Sequence, residues 1–419
     1  MNCNTCLLPL VAAVAVTFCA LPARAQLPDH APPQLQARTN LLVNDNGYNL
    51  PPGSSFNSIS ADIDDAGSVA FPVQVVPNGS SSSPGIWFGD GNGSGSVVFY
   101  GPVDSLVSAS LRLNNGGLAV FTLTDTPGAD GIYRYDHAVQ QATRVSTTPV
   151  IANSYSTPGI NAAGQIGFQA NYSTGRAYAS VLPGNAALFH VADTGVDPGS
   201  SYTYLYTPAF GDARAIVAKV ATSADLTSST EIRRFASDGS STRVAANRGT
   251  DPLSPIRQFD NSLALSDNGR VAFIATRDAD SRRVVYRVDG ASLTEIAAVD
   301  PSGTIRDLEF FPPTINDAGL VAFRARDVNG QAIYIGDGTT LARVAGKGDA
   351  VATDLGAGRI GQHNADSVFS GTPMLNNRGD LVFIAALHPD GNNQVEWGSG
   401  VFVAKVPDVV FADGFDPAP

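Results

Sequence analysis

NDAGLVAF, Asn316–Phe323, sets a turn-forming tetrad directly in front of a strand-like apolar run. Asn at the first position can bond its side chain to the backbone two residues on, and Gly at the fourth tolerates a positive φ. Together they specify a type I turn closed by a glycine bulge, a common joint between two antiparallel strands. The stretch is one of a set: DDAGSVAF (64–71), NNGGLAVF (114–121), NAAGQIGF (161–168), the worn GDARAIVA (211–218), SDNGRVAF (266–273) and NNRGDLVF (376–383). Their fourth positions fall at 67, 117, 164, 214, 269, 319 and 379, with gaps of 50, 47, 50, 55, 50 and 60 residues. An apolar residue precedes every tetrad (Ile63, Leu113, Ile160, Phe210, Leu265, Ile315, Leu375), so each motif is the corner between a first and a second strand.

Two further strand patterns follow in each unit. The third reads GIWFG (85–89), GIYRY (131–135), AYASV (177–181), EIRRF (231–235), RVVYR (283–287), AIYIG (332–336) and GVFVA (400–404). The fourth reads SVVFY (96–100), ATRVS (142–146), LFHVA (188–192), TRVAA (242–246), LTEIA (293–297) and LARVA (341–345). Helical periodicity is absent over any useful length. Four short strands per unit of about 50 residues make a propeller blade. The expected fold is therefore all-β, a seven-bladed β-propeller of four-stranded blades. The last unit lacks a fourth strand, and Asn40–Val43 (NLLV), ahead of the first unit, reads as that missing strand. Pairing the N-terminal strand with the last blade closes the ring and hides both sheet edges; an open solenoid would not explain why the missing strand stands at the other end.

These repeats resemble the secreted bacterial proteins built of tandem N-x-x-G-x-x-A-F units, with a G-D-x-x-P-G-like segment between units. The resemblance covers about residues 40 to 405, and copies one, five and six match best. It implies the propeller-like fold and carries no activity with it. The tail VVFADGFDPAP is similar to short C-terminal endings of exported bacterial proteins.

The resulting organisation is a signal peptide over 1–25, a linker over 26–39, the propeller over 40–405 and a tail over 406–419. Leu7–Leu21 is too short to span a membrane comfortably, and Ala23-Arg24-Ala25 fits the small-x-small cleavage rule. A secreted product, extracellular or periplasmic, with no membrane span after cleavage is expected. All three cysteines (Cys3, Cys6, Cys19) lie in the removed segment, so disulfides and Cys-based zinc sites are excluded from the mature chain. Arg24 is the only charge removed, leaving 25 basic against 38 acidic residues. That balance argues against nucleic acid and anionic membrane as partners and leaves room for cations.

Enzyme signatures are missing: no G-x-S-x-G, no H-E-x-x-H and no P-loop occurs. Gly356–Gly361 spells G-x-G-x-x-G, but between blades and without a βαβ context. Asp62–Gly67 opens like a calcium loop yet lacks its closing glutamate, and reads better as a repeat corner. His30, His137, His190, His363 and His388 share no metal-binding spacing. Ser60, Ser110, Thr157, Thr207, Ser262 and Thr372 occupy one repeat position, broken only by Pro312, and read chiefly as structural hydrogen-bonding hydroxyls.

The loops from each fourth strand to the next first strand are longer than the corners and emerge on one face of the disc, where loops are free to bind. They carry Asp45, Asp197, Asp251, Asp300 and Asp349 at similar places. These aspartates are the candidate metal ligands, with calcium as the cation they would suit, and turn formation as the plainer reading. The leading functional expectation is a non-catalytic, monomeric propeller that binds an extracellular protein, glycan or cation through its long-loop face. The competing one is a propeller enzyme, a metal-assisted hydrolase or lactonase, with calcium in the central channel.

Overall fold

The computed structural model describes residues 27–39, 47–56, 59–76, 81–124, 130–212, 215–363 and 367–407, and contains no helix among them. Seven antiparallel sheets follow one another along the chain, each built in the order first, second, third, fourth strand from the inside out. In the sixth blade the second to fourth strands are Val321–Asp327, Gly330–Gly336 and Leu341–Gly346. The expected third and fourth strands all appear within two residues of their expected ends.

The corners are the expected ones. Gly67, Gly117, Gly164, Gly269, Gly319 and Gly379 all have φ between 73° and 94°. In the sixth corner the Gly319 amide donates to the Asn316 carbonyl and the Asn316 amide to the Leu320 carbonyl, at 2.9 and 3.1 Å. That is a type I turn with a glycine bulge. Arg214, the residue replacing glycine in the fourth copy, lies outside the described residues.

The core is divided into seven layers between blades, each cluster of buried apolar side chains drawing on two successive blades. Second strands are buried on both faces, which is why they read as continuous apolar runs. Their alternation explains the A-F of the repeat. Phe323 fills the layer shared with the fifth blade, while Ala322 faces the seventh. Phe71, Phe121, Phe168, Phe273 and Phe383 likewise point back to the preceding blade.

Closure is made by Gln34–Arg38, which pairs antiparallel with Gly398–Ala404 as the outermost strand of the last blade. The closing strand thus lies earlier than Asn40–Val43, inside the stretch read as a linker; residues 40–46 lie outside the described ones. The run QLQAR escaped an apolar search because two of its polar residues, Gln36 and Arg38, are buried with partners. A bulge between Leu35 and Ala37 puts these two residues, which simple alternation would place together, in the layers on opposite sides of the blade. Gln36 is fully buried and accepts from the Gly93 amide at 2.9 Å.

Arg38 locks the seam. Its guanidinium, fully buried, donates to both oxygens of Asp354 at 2.9 and 2.8 Å and to the Trp397 carbonyl at 3.0 Å. Asp354 sits at the tip of a hairpin, Ala350–Thr353 with Gly356–Ile360, that extends the last blade. Removing one partner of such a pair strands a buried charge. Asp354→Ala is expected to cost about 3–5 kcal/mol, and deletion of residues 27–39 to lower the melting temperature of the whole domain as one transition. Calorimetry and urea unfolding read both; an unchanged midpoint for the deletion would mean the seam is not what holds the ring.

Candidate functional site

First strands line the axis and are irregular in the second to seventh blades. Those of the second, fourth and sixth blades are split into two short pieces (Leu106–Val107 and Arg112–Leu113, Tyr204–Leu205 and Ala209–Phe210, Asp307–Leu308 and Thr314–Ile315). Those of the third, fifth and seventh carry bulges. Prolines at 158, 208, 312, 313 and 373 fall in these interruptions, where an edge strand tolerates a missing donor. They enclose a channel of about 310 Å³ to which all seven blades contribute.

Ser60, Ser110, Thr207, Ser262, Thr372 and Pro312 form one tier of the channel wall. The hydroxyls read as structural hydrogen-bonding groups therefore also face the axis. Ser60 does both: its Oγ accepts from the Thr372 amide at 2.8 Å, tying the first blade to the seventh.

Below this tier the corners lock to one another. The first residue of the tetrad caps its own turn and, where it is Asn, also reaches the next blade. Asn316 Oδ1 accepts from the Leu320 amide while its Nδ2 donates to the Asn376 carbonyl. Asn376 repeats this towards Asp64, and Asn114 towards Asn161. Second residues add a parallel set: the amides of Asp65, Ala162, Asp317 and Asn377 donate to the side chains of Asn115, Asp212, Asn377 and Asp65. The exception is the worn copy. Asn161 Nδ2, buried, finds no acceptor among the described residues where the fourth blade offers Gly211.

These corners give the channel an acidic lower mouth. The Asp267 side chain reaches solvent there, but desolvation by the surrounding wall and repulsion from Asp212, Asp317, Asp65 and Asp62 push its pKa up to about 6. Its folded-state pKa lies above the unfolded value, so its contribution to stability is fully present below about pH 4 and is lost as pH rises through about 6. Asp267→Asn is therefore expected to raise the melting temperature above pH 6 and leave it unchanged near pH 4. Solvent screening keeps the gain to about 1 kcal/mol or less, and melting curves across this pH range check it.

The long-loop aspartates are engaged locally. Asp197, Asp251 and Asp300 each open an Asp-Pro turn, with Oδ1 accepting from the backbone amide two residues on (Gly199, Leu253 and Ser302) at 2.9, 3.1 and 3.1 Å. The hydrogen bonds from Ser302 hold Asp300 below the usual carboxylate range. Asp349 receives the Arg343 guanidinium and the Gly346 amide. Asp45 lies outside the described residues. Among the described residues, no group of three or more acidic, His or Cys side chains is placed to hold a metal ion. Because these side chains are engaged in their own turns, Asn at 197, 251, 300 and 349 is expected to leave any response of the melting temperature to calcium unchanged. Asp349→Asn is expected to cost only about 1 kcal/mol or less through loss of the Arg343 pair; a calcium-dependent rise in melting temperature abolished by Asn at 197, 251, 300 and 349 would assign these residues as ligands instead.

The upper mouth carries what sequence reading missed, an arc of aromatic rings and cations. Arg176 lies over the Tyr204 ring at 4.2 Å, and Tyr204 packs on Tyr206 with ring centres 4.7 Å apart. Lys219 lies 4.1 Å from the Tyr206 ring and bonds Asn261 Oδ1 at 3.0 Å. Burial lowers the Lys219 pKa to about 8. The neighbouring Asp260 pairs with Arg283, which lies 4.1 Å over Phe310. Arg324 lies 3.8 Å over Phe311, is paired with Glu309 and bonds the Gly371 carbonyl. Tyr206, Asn261 and Phe311 each stand one residue before the hydroxyl tier, at one repeat position; that shared position was the available signal.

The class this defines is the β-propeller. Residues 215–411 match the profile of a family of unknown function, DUF7453. No curated protein matches the chain. Among solved structures, the β-propeller domain of the trilobed protease from Pyrococcus furiosus is 12% identical with a TM-score of 0.51, covering 84% of this chain and 98% of its own. That domain is described as having an open velcro topology, whereas this ring is closed by strand pairing. The polysaccharide lyase Uly1 is 8% identical with a TM-score of 0.49, over 91% of this chain and 100% of its own. A calcium-binding regucalcin from Agrobacterium tumefaciens is 12% identical with a TM-score of 0.35, over 91% and 96%. At these identities the likeness is one of fold alone, and the functions are mixed.

Proposed function

We propose that this is a secreted binding protein that works through its long-loop face and performs no chemistry of its own. The observation that carries the reading is the uneven distribution of exposed apolar side chains. Val103, Ile151, Leu253, Phe310, Val328 and Val395 are exposed in loops that open on that face, with Leu253 93% and Phe310 84% accessible. Among the described residues, the large apolar residues so exposed in the turns of the opposite face and the fourth-strand starts beside them are Val139, Leu182, Leu188, Phe189 and Leu293, none above 66%. Exposed apolar groups gathered on one side mark contact surfaces, and the corners opposite are occupied by their own inter-blade bonds. The export expectation rests on the first 25 residues, and among the described residues no helix is long and apolar enough to cross a membrane.

A photo-crosslinking residue at Phe310 and another at Ala163, exposed on the corner face, test the reading in the envelope and medium of the producing cell. Discrete adducts are expected from position 310 and none from 163. Adducts from 163 alone, or equally from both, would overturn the assignment of the face.

A further inference from the structure

The upper-mouth arc has features that the general exposure of that face does not explain. Its members occupy the interruptions of three successive first strands: Tyr206 to Pro208, Asp260 to Ser262 and Glu309 to Pro313. Bulged and broken strands re-aim side chains, and they gather beside functional sites. Here they turn rings towards the mouth while buried cations fix the rings from behind. Lys219 is 3% and Arg324 2% accessible, and each lies against a ring that still reaches solvent.

The charges decide what such a platform suits. Lys219 bonds the Phe259 carbonyl and Asn261, Arg283 pairs with Asp260, and Arg324 pairs with Glu309 and bonds the Gly371 carbonyl. These three are turned to protein partners, Arg176 lies against the Tyr204 ring, and the net charge of −12 repels polyanions. A cationic ligand is equally disfavoured, because each ring already holds a cation on one face. What remains are flat apolar surfaces separated by exposed hydrogen-bonding groups, of which the Asn261 amide is the most open.

We propose that this arc is a binding subsite for an uncharged glycan, whose sugar rings stack on Tyr206, Phe310 and Phe311 while their hydroxyls bond Asn261 and Asp260. A pyranose presents the matching surfaces, an apolar face of C–H groups and an equator of hydroxyls. Each hydroxyl can donate and accept, so it suits amide and carboxylate together. Rings pinned by cations lose little freedom on binding. The arc runs from Arg176 in the third blade to Gly371 in the seventh, which suits an oligosaccharide rather than one sugar. The proposal rests on the long-loop face being the binding surface.

The test is native electrophoresis of the full chain through gels containing soluble xylan, mixed-linkage β-glucan, galactomannan or dextran, with alginate as the charged comparison. Retardation by at least one uncharged polysaccharide is expected, with apparent affinity falling tenfold or more in Phe310→Ala. That side chain is mostly solvent-exposed, so the variant keeps its fold, and matching melting curves verify this. A Tyr206→Ala, Phe311→Ala double variant is expected to lose retardation entirely. Retardation by none of the four, by alginate alone, or equally for parent and Phe310→Ala would overturn the proposal. Protein adducts from a crosslinker at position 310 without any polysaccharide retardation would remove the glycan and leave the binding face standing.

Discussion

A ring of sheets holds together only if its two ends meet, and here five residues carry the start of the chain into the last blade. Gln34–Arg38 completes the last blade, places Leu35 and Ala37 in the apolar layers on either side, and anchors the joint through the buried Arg38–Asp354 pair. The layers away from the closing strand are formed by segments close in sequence. The layer between the seventh and first blades, and the Leu35 contacts in the layer before it, join residues hundreds of positions apart, so they depend on closing a very long loop. The hairpin carrying Asp354 makes sense in that light, since it brings a carboxylate to the one cation that the closing strand buries.

The corner ring does at the lower face what the closing strand does at the rim. An asparagine at the first tetrad position accepts from its own turn and donates to its neighbour's carbonyl, which neither aspartate nor serine can do in the same geometry. The preference for Asn in this repeat is therefore a property of the assembled ring as well as of the turn. The fourth copy is the exception: Gly211 keeps a backbone carbonyl, but the Asn161 amide group of the preceding blade has no acceptor among the described residues. Burial of Asp62 beside this ring, and the resulting rise in its pKa, show how crowded with carboxylates that mouth is. The two faces of the disc thus differ in kind. One is occupied by bonds between blades, and the other carries the long loops and exposed apolar groups.

Much of the architecture was legible because it is local. Turn chemistry at Asn316–Gly319, the alternation in Val321–Asp327 and the spacing of seven copies define corners, strands and blade number without reference to any distant residue. The closing strand was misplaced because its signal is not local: Gln36 and Arg38 look like surface residues until Gly93 and Asp354 arrive from elsewhere in the chain. The loop aspartates were visible as a recurring residue, but Asp197, Asp251 and Asp300 recur because Asp-Pro turns recur, which position alone does not distinguish from ligation.

The sequence by itself determined the repeat, the corner geometry, the four-stranded blade and the number of blades, since each follows from backbone preferences and side-chain alternation within about 50 residues. Only the tertiary structure decided which polar groups are spent on holding the ring and which remain on its surface. Tyr206, Asn261 and Phe311 are unremarkable in three separate repeats, and they become one surface because rotation about the axis carries equivalent positions to a common mouth. Ring closure creates that proximity, and no stretch of chain contains it.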